Sequence, residues 1–599
     1  MNIFLYILTL FPKSSIMFTI VAIANEIKNA KRYFIMRKIT SFVLSVIMLL
    51  SVCGLCFSVS AAPEGTAINS ADDFFNMAAE GTYYLNADIA VNATYANAFK
   101  GTFDGNGHTV TVTVPMFADF SGTVKNLTIA GEVYVTDADA AAFAVLSSNG
   151  VIAENVTNNA SVTVLGTGLL AAGFVATDNA TQTSKNNPAS TYTNCVNNGE
   201  IYVESAAGLK PTAAGFVAFV DSIVLTNCTN NGKVTANGAC ARAAGFCGRV
   251  SPVKGTNNAE AYNCVNNGDI TSVESYLDAD GVALGTGASE TAGIFANVGV
   301  KSNVGIYRAW GCVNNGTIKG TYRTSGIIGY AYGSSSNQYA DIQFCINTGD
   351  LYYGRTASND GNVHDWCAPF IGYTNTPFTT VKYNIDTATY IRDPQAVNLN
   401  PGMCFIGCSS ADVMQCDIKG NYLMNKDSFA YYTYASSESN AAQRHLITEI
   451  DGILPVTLED IKSGKIAYEI NTLAAADEFG FAEGYAFYQN LGSDNLPTVD
   501  NTHGWVVLSG SSYVNGSAEP ETTEAPATEA PVETTEAPAQ ETEAPVEETE
   551  APAVETEAPA QTEAPADTEP AKSGCGSFVA GGVAILAILG TALVIKKRD

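Results

Sequence analysis

A five-residue phrase that recurs through the middle of the chain constrains the fold more than any other feature. Three copies read Cys-Val-Asn-Asn-Gly, and two variants read Cys-Thr-Asn-Asn-Gly and Cys-Ile-Asn-Thr-Gly. With successive spacings of 33, 36, 48 and 33 residues, they begin at Cys195, Cys228, Cys264, Cys312 and Cys345. These spacings fall within the period range of stacked structural repeats, so the sequence predicts a solenoid.

The residues between the phrases indicate which kind of solenoid this is. Each phrase is followed by an alternating run such as Gly199 to Val203, which is the period-two pattern of a β-strand. A second run opens on small residues and a glycine, as in Ala213-Ala214-Gly215-Phe216. Thr, Val, Asn and Gly fill the repeats and are poor helix formers. We therefore predict an all-β fold in which each repeat, with three short strands, forms one coil of a parallel β-helix.

Equivalent residues of neighbouring coils are expected to stack in columns, because adjacent parallel strands lie about 4.8 Å apart. One such column would hold the first asparagine of each phrase, namely Asn197, Asn230, Asn266, Asn314 and Asn347. Two interpretations of this column stay open. The asparagines either only shape the turns, since Asn and Gly tolerate left-handed backbone, or they also form an amide ladder.

The phrase cysteines predict a second column of the same structural ladder. Residues 62–516 contain eleven cysteines, an odd number, so they cannot all pair with one another. A spacing of about 4.8 Å lies within the Cα range of disulfides, yet in-register side chains of parallel strands point the same way. A column of buried thiols is therefore favoured over disulfides.

The repeats also resemble a known group of proteins. The phrase, followed by Ala-Gly-Phe or Ser-Gly-Ile-Ile-Gly, resembles the GLUG repeats of surface proteins from gut-dwelling Gram-positive bacteria, over about residues 150–375. Gly101 to Val110 and Gly122 to Ile129 resemble the first coils of pectate-lyase-like β-helices, and Ser573 to Ser577 resembles the C-terminal anchors of clostridial surface proteins. The resemblance implies a right-handed parallel β-helix displayed outside a Gram-positive cell.

The N-terminal residues predict an export signal. After Met36, Arg37 and Lys38 form a basic segment, residues 42–57 are apolar, and Val59-Ser60-Ala61 provides a small-residue cleavage site. This is the pattern of a secretory signal peptide. Residues 1–35 are interpreted as a mis-assigned extension, with an extra membrane-associated element as the alternative.

The C-terminal residues predict a helical module, a stalk and an anchor. Thr457 followed by Glu459 and Asp460 is typical of a helix start, and we expect this region to cap the open end of the coil stack. Glu-Ala-Pro repeats then form a disordered Thr/Glu/Ala/Pro-rich stalk that can reach on the order of 170 Å. The uncharged run 577–595, followed by Lys596-Lys597-Arg598, predicts a single transmembrane helix with its C-terminus in the cytoplasm.

These features together give a predicted organisation in five parts, all but the first and last outside the membrane. They are 1–61 (extension, with the signal peptide at 36–61), 62–440 (β-helix), 441–516 (capping module), 517–572 (stalk) and 573–599 (anchor and basic tail). The predicted location is the extracellular face of a Gram-positive cell membrane, with the stalk projecting through the cell wall.

Composition and motifs narrow the possible functions. The formal net charge of −29 argues against nucleic-acid binding. The predicted mature chain carries no Cys-x-x-Cys pair, no His-Glu-x-x-His and no phosphate loop. No cofactor is expected, with Ca²⁺ left open, because the turns at Asp137-Ala138-Asp139 and Asp278-Ala279-Asp280-Gly281 carry carboxylates that either bind the ion or are simply solvated.

Two polar and aromatic groups on neighbouring repeats form the candidate ligand site. Aromatic faces stack on sugar rings while Asp and Asn bond hydroxyls, although a bland loop with a packed Trp is the alternative. The candidate residues are Tyr307, Arg308, Trp310, Tyr352, Arg355, Asp360, His364, Asp365 and Trp366.

Two functional classes follow. The first is a surface adhesin or glycan-binding protein whose partner is an extracellular glycan or a host or bacterial surface protein. The second is a polysaccharide lyase or glycoside hydrolase of the pectate-lyase-like fold. A hydrolase needs paired carboxylates across a cleft and a lyase needs a basic residue, and the sequence marks neither, so binding is favoured and enzymatic activity stays open.

Overall fold

The computed structural model describes residues 63–516 apart from fourteen segments: 180–188, 206–209, 252–256, 274–288, 300–304, 334–337, 355–365, 377, 395–403, 409–414, 427–430, 436–444, 447–450 and 478–485. The predicted signal peptide, stalk and transmembrane segment lie outside the described residues. Within the described part, no helix combines the length and apolar character needed to cross a membrane.

From Thr66 onward the chain winds into stacked coils of short strands. Equivalent strands of successive coils pair in parallel, as where Thr229–Asn230 pairs with Val196–Asn197 on one side and Val265–Asn266 on the other. The predicted all-β solenoid with parallel strands is confirmed. We number the strand columns as sheets 1 to 5 in the order in which one coil passes through them.

Sheet 1 contains twelve strands: Thr66–Ile68, Thr82–Leu85, Thr102–Asp104, Thr123–Lys125, Ile152–Glu154, Ser190–Thr193, Ile223–Thr226, Asn257–Tyr262, Gly305–Trp310, Gln338–Gln343, Phe378–Lys382 and Gln415–Lys419. Sheet 2 contains Ile89–Val91, Thr109–Val112, Thr128–Thr136, Thr157–Asn158, Val196–Asn197, Thr229–Asn230, Val265–Asn266, Val313–Asn314, Ile346–Asn347, Ile385–Asp386, Asn421–Leu423 and Ile453–Pro455. Sheet 3 begins with the same long strand Thr128–Thr136 and continues with Ser161–Gly166, Ile201–Ser205, Val234–Asn237, Ile270–Val273, Ile318–Lys319, Leu351–Tyr353 and Tyr390–Arg392.

Sheet 4 contains seven strands: Ala140–Ala141, Leu170–Ala172, Thr212–Ala214, Arg242–Ala244, Glu290–Ala292, Arg323–Ser325 and Trp366–Ala368. Sheet 5 contains Tyr95–Phe99, Phe117–Phe120, Ala144–Ser147, Val175–Asp178, Val217–Val220, Cys247–Val250, Phe295–Val298, Ile328–Ala331, Ile371–Thr374, Cys404–Cys408, Tyr431–Ala435 and the antiparallel His445–Leu446. The helices among the described residues are α1 (Ala71–Phe75), α2 (Leu458–Lys462) and α3 (Lys465–Ala476), and a hairpin pairs Val506–Ser509 with Ser512–Asn515.

A full coil therefore has five strands, whereas the sequence pattern predicted three. The extra divisions arise at two sharp corners, one immediately before the repeated phrase and one inside the Gly-Phe run. At the first corner the residue before the cysteine adopts left-handed backbone, as Asn194 does at φ 53°. The left-handed residue is therefore the one that precedes the phrase. The Asn-Asn-Gly turn that follows does not use left-handed backbone.

The phrase glycine is required by packing between coils. Gly232 is outside the left-handed region, but a Cβ on it would collide with the carbonyl oxygen of Gly199 in the preceding coil. Gly268, Gly316 and Gly349 are enclosed in the same way by the glycine of the coil before. A glycine therefore allows close stacking at this corner in these repeats, while Ala160 and Ala388 take the equivalent position in the coils on either side.

The first asparagine of each phrase is buried and hydrogen-bonded to its equivalents. Nδ2 of Asn197 donates to Oδ1 of Asn230 at 2.8 Å and to its own turn carbonyl, Gly199 O, at 3.0 Å. The chain of side-chain bonds runs in one direction through Asn158, Asn197, Asn230, Asn266, Asn314 and Asn347. Of the two interpretations of this column, the structure has the amide ladder. Asp386 accepts the last bond, from Asn347, at 2.8 Å.

The phrase cysteines form a buried column of free thiols beside this ladder. Three of the thiols can donate to a carbonyl of the preceding coil: Cys228 Sγ to Tyr192 O, Cys312 Sγ to Ala261 O and Cys345 Sγ to Ala309 O. Cys195 and Cys264 can donate to the carbonyl two residues earlier in their own coil. In the later coils Asn384 takes the cysteine position and donates to Ile342 O at 3.2 Å. The column therefore supplies a small donor at each corner, and cysteine is the version that fits the apolar interior.

Two additions flank the coil stack. At the N-terminal end, Phe74 of α1 lies within the core against Tyr95, Phe103 and Phe117. At the C-terminal end, α2 begins at the predicted Thr457, whose side chain and Asp460 form a capping box. Helix α3 and the hairpin pack in a second hydrophobic cluster with residues of four successive coils: Val313, Phe344, Ile346, Tyr383, Ile385 and Tyr422.

This C-terminal module thus lies along the outer side of sheet 2. The sequence had instead predicted a position over the open end of the coil stack. Its contact residues explain the difference. Phe344 and Tyr383 occupy the left-handed corner that Asn fills elsewhere, and their rings stack at 5.1 Å. Aromatic residues rarely adopt this backbone, so their packing against the module supports the corner. Asp477 at the end of α3 also bonds Tyr383 and Lys419.

Candidate ligand-binding face

The candidate ligand site forms on the outer side of sheet 1, where three side-chain columns cross four neighbouring strands. The inner side of the same strands, including Ala261, Ala309 and Ile342, is buried in the core. The outer columns, which we call the binding face, are Asn258, Ile306, Tyr339 and Phe378; Glu260, Arg308, Asp341 and Thr380; and Tyr262, Trp310, Gln343 and Lys382.

Arg308 is the centre of the middle column. Its Nη1 donates to Glu260 Oε2 at 3.2 Å on one neighbouring strand, and its Nε donates to Asp341 Oδ2 at 3.1 Å on the other. Burial opposes the charge of Arg308, but the hydrogen bond from Arg308 to Tyr262 and the nearby carboxylate of Asp341 leave its pKa raised. The guanidinium is therefore permanently charged and fixed in position across three strands.

The two carboxylates on either side of Arg308 are committed to this network. Glu260 also accepts from Tyr262 Oη at 2.5 Å, and Asp341 accepts from Gln343 Nε2 at 2.7 Å. Burial, followed by the bond to Glu260, raises the pKa of Tyr262. Because a single cation lies between the two acids and pairs with both, their arrangement is poorly suited to general acid–base chemistry.

An aromatic column runs beside the charged one. Tyr339 is 45% exposed, and its ring stacks on Phe378 of the next coil with centroids 5.2 Å apart and planes at 17°. Ile306 continues the column on the preceding strand. On the other side of Arg308, its guanidinium lies 4.6 Å from the ring centroid of Trp310. The face therefore presents flat apolar surfaces on both sides of fixed hydrogen-bonding groups.

The structure brings only some of the predicted site residues together. Arg308 and Trp310 lie on the binding face, since they alternate outward on one strand. Tyr307 immediately precedes Arg308 on the same strand, so its side chain points to the opposite side and is buried in the core, where its Oη is 3.3 Å from Gln338 Nε2. Assigning Tyr307 to the ligand site was wrong for this reason. Tyr352 is half-buried on sheet 3.

Trp366 is also buried, on sheet 4, where its ring packs at 4.9 Å against Tyr373. It contributes to an interior cluster, and placing it in the ligand site was wrong as well. The remaining predicted residues, Arg355, Asp360, His364 and Asp365, lie outside the described residues. The sequence did not single out Tyr339 and Phe378 as ligand-site residues. Each lies six positions before the cysteine position of its repeat, which is Cys345 for Tyr339 and Asn384 for Phe378.

The interior cluster around Trp366 contains a buried ion-pair chain that no sequence motif indicates. Glu290 accepts from Arg242 Nε at 2.6 Å and from Arg323 Nη1 at 2.8 Å. The Arg323 guanidinium lies 3.7 Å from the ring centroid of Tyr330 and 4.8 Å from that of Tyr373. With its charges paired and covered, this cluster stabilises sheet 4 and is not available to a ligand.

The acidic turn proposed for Ca²⁺ is satisfied by backbone donors. Asp139 Oδ1 accepts from the amides of Leu169 and Leu170 at 2.8 and 3.0 Å, and Asp137 Oδ1 accepts from the amide of Thr167 at 2.9 Å. Burial raises the pKa of Asp139, partly offset by these amides. The second turn, Asp278 to Gly281, lies outside the described residues. In the described part of the chain no three acidic, His or Cys side chains converge as a metal site requires.

Comparisons with known proteins give little information about the function of this chain. No protein-family model matches the chain, and no curated protein matches it. Among solved structures, the chain is similar to the crystal structure of a proposed immunoglobulin A1 protease from Bacteroides ovatus, at 14% sequence identity and a TM-score of 0.30, covering 52% of this chain and 85% of that one. A TM-score this low carries no argument about function.

Proposed function

We propose that the chain is a surface-displayed glycan-binding protein and that the binding face on sheet 1 holds its ligand. The observation that carries this proposal is the exposed Tyr339 ring, which stacks on Phe378 of the next strand and lies on the same strand as Asp341. A sugar presents a C–H face that stacks on an aromatic ring and hydroxyls that bond carboxylates, amides and guanidinium groups. The face offers both within three strands.

The chemistry of the face favours a neutral or weakly charged glycan. Glu260 and Asp341 are both paired with Arg308, so the middle column carries a net charge of about −1 and offers no uncommitted cation to an acidic polymer. The aromatic column runs across the strands, along the direction in which coils stack. A linear glycan lying along it would contact Ile306, Tyr339 and Phe378 in succession.

The resemblance to GLUG-repeat surface proteins and the predicted signal peptide, stalk and anchor support display on the outside of a Gram-positive cell. In this proposal the stalk holds the β-helix away from the membrane. Adhesion would then follow from many copies engaging a glycan-coated surface, each weakly.

The test is retention of the full chain on a panel of immobilised glycans. Tyr339→Ala is expected to weaken binding about tenfold, the loss of one aromatic contact of roughly 1.5 kcal/mol. Tyr134→Ala is the matched control, because Tyr134 is 58% exposed but lies on sheet 3. Equal loss in both variants, or no retention of the unmodified chain on any glycan, would reject the proposal.

The same panel separates binding from catalysis. Release of reducing ends or unsaturated products by the unmodified chain would favour the lyase or hydrolase alternative, whereas retention without product supports binding. Arg308→Gln provides a second check, since it removes the central cation while keeping a planar hydrogen-bonding side chain, and it should weaken retention without creating product.

A further inference from the structure

The outer side of sheet 2 changes character along the coil stack. In each coil three residues point outward there: the left-handed corner residue, the residue after the cysteine, and the second asparagine of the phrase. Over four successive coils we call these twelve residues the asparagine strip: Asn155, Thr157, Asn159, Asn194, Val196, Asn198, Asn227, Thr229, Asn231, Asn263, Val265 and Asn267.

Two amide ladders border the strip. In the first, Asn194 Nδ2 donates to Asn155 Oδ1 at 3.2 Å, and the pattern continues to Asn227 and Asn263. In the second, Asn198 Nδ2 donates to Asn159 Oδ1 at 2.8 Å, followed by Asn231 and Asn267. Each ladder bond uses one hydrogen and one lone pair of an amide that has two of each, so a donor and an acceptor remain on each rung.

The same surface is already a docking surface in the next three coils. There Val313, Ile346 and Ile385 continue the Thr/Val column of the strip, and they pack against the C-terminal module. The module borders the strip where a Cβ on Gly311 would meet both Asn263 Oδ1 and, at 3.2 Å, Val499 Cγ1. The strip is therefore the uncovered continuation of an interface that exists within the chain.

Charge restricts what can cover the strip. The chain carries 59 acidic and 30 basic residues, yet all twelve strip residues are uncharged. A strongly charged partner would find no counter-charge on the strip. Two copies of this acidic chain repel each other in general, and a charge-free strip is where they can approach with the smallest electrostatic penalty.

From these observations we propose that the asparagine strip is a self-association surface, whose occupant is the same strip of a second copy of this chain. Amides that keep one donor and one acceptor are complementary to themselves. The rungs of both copies repeat at the same spacing of about 4.8 Å, so one correct contact brings the others into register. A two-fold arrangement then places the Thr/Val column of each copy between the amide ladders of the other.

The size of the strip sets the strength of the contact. Four rungs at about 4.8 Å and five residues at about 3.3 Å give roughly 300 Å² per partner, well below the roughly 800 Å² of a standard stable interface. The association is therefore weak in solution, and it becomes effective where many anchored copies face one another, since avidity multiplies weak contacts.

Sedimentation velocity of the full chain tests the proposal over a concentration series that reaches about 1 mM. The unmodified chain should show a sedimentation coefficient that rises with concentration. Thr229→Lys and Thr229→Glu each place a charge near the centre of the strip and should abolish the rise. An equimolar mixture of the two variants should restore it, and this restored association should weaken with salt.

Two controls separate this result from a folding defect and from glycan binding. Thr271→Lys adds the same charge at a half-buried position on sheet 3, and Tyr339→Ala alters the binding face on sheet 1; both should associate like the unmodified chain. The proposal is overturned if the unmodified chain stays monomeric throughout, if Thr229→Lys associates normally, or if the mixture of charge variants stays monomeric. It is equally overturned if the Thr229 variants lose glycan retention while no self-association occurs.

Discussion

The carboxylate that ends the interior amide ladder allows a quantitative test of how the coils are held together. Asp386 is fully buried, accepts from Asn347 Nδ2 and from Tyr390 Oη, both at 2.8 Å, and has no amide of its own to donate onward. Burial raises its pKa from 3.8 to about 7, against the opposing effect of the bonds from Tyr390, Asn347 and the amide of Ala388. The ladder therefore ends on a group that changes charge near neutral pH.

The direction of the pKa shift of Asp386 determines how the stability of the folded chain depends on pH. Because the pKa of Asp386 is higher in the folded chain, its contribution to stability is complete below pH 4 and is lost as pH rises through about 7. At about 1.4 kcal/mol per unit, the shift corresponds to at most about 4 kcal/mol. Asp386→Asn keeps an oxygen acceptor without the charge. It should raise the free energy of unfolding by up to about 4 kcal/mol at pH 8 and by little at pH 4.

The assay is urea unfolding of the full chain from pH 4 to pH 8, followed by circular dichroism. Since solenoids unfold in parts, hydrogen exchange of the backbone amides near Asp386 should accompany it. Asp350→Asn is the matched control, because Asp350 lies in the preceding coil and accepts one exposed bond from the amide of Thr389. If Asp386→Asn destabilises the chain at pH 8, or leaves the pH dependence unchanged, the reasoning about this buried carboxylate is wrong.

Three further changes test single elements of the fold by the same unfolding assay. Cys312→Ala should cost about 1–3 kcal/mol, because Ala261 O loses its donor, and Cys312→Ser, which keeps a donor, should cost less. Gly232→Ala should destabilise the chain by more than an ordinary surface change, since its Cβ would meet Gly199 O, and equal stability would contradict the packing argument. Thr457→Ala should cost about 1 kcal/mol through the lost cap of α2, with no effect on glycan retention.

The repeated phrase was enough to predict the parallel coils, because strand pairing between coils places equal residues above one another. It did not reveal which residue turns the corner. The same amino-acid sequence is compatible with more than one turn conformation. Only the packing of neighbouring coils shows that Asn194 adopts the left-handed backbone and that Gly199 is required for lack of space. The C-terminal module was misplaced for a similar reason, since an apolar helix face can cover either the end or the side of a stack. Phe344 and Tyr383, where other repeats have Asn, were the signal for the side.

The ligand site was predicted only in part. Arg308 and Trp310 belong to the binding face. Tyr307 is on the same strand, but its side chain points inward, and Trp366 of the next repeat lies on sheet 4 instead of sheet 1. Proximity in sequence or in repeat number does not show which side of a strand a side chain occupies. Counting six positions back from the cysteine position of each repeat would have identified Tyr339 as a residue of the binding face.

The lateral attachment of the C-terminal module determines how the chain bears mechanical load. Tension applied beyond Asn515 enters through the hairpin and α3, which contact Val313, Ile346, Ile385 and Tyr422 in four successive coils. The pull is thereby shared as shear over those coils, whereas attachment to the last coil alone would let the stack peel open one turn at a time.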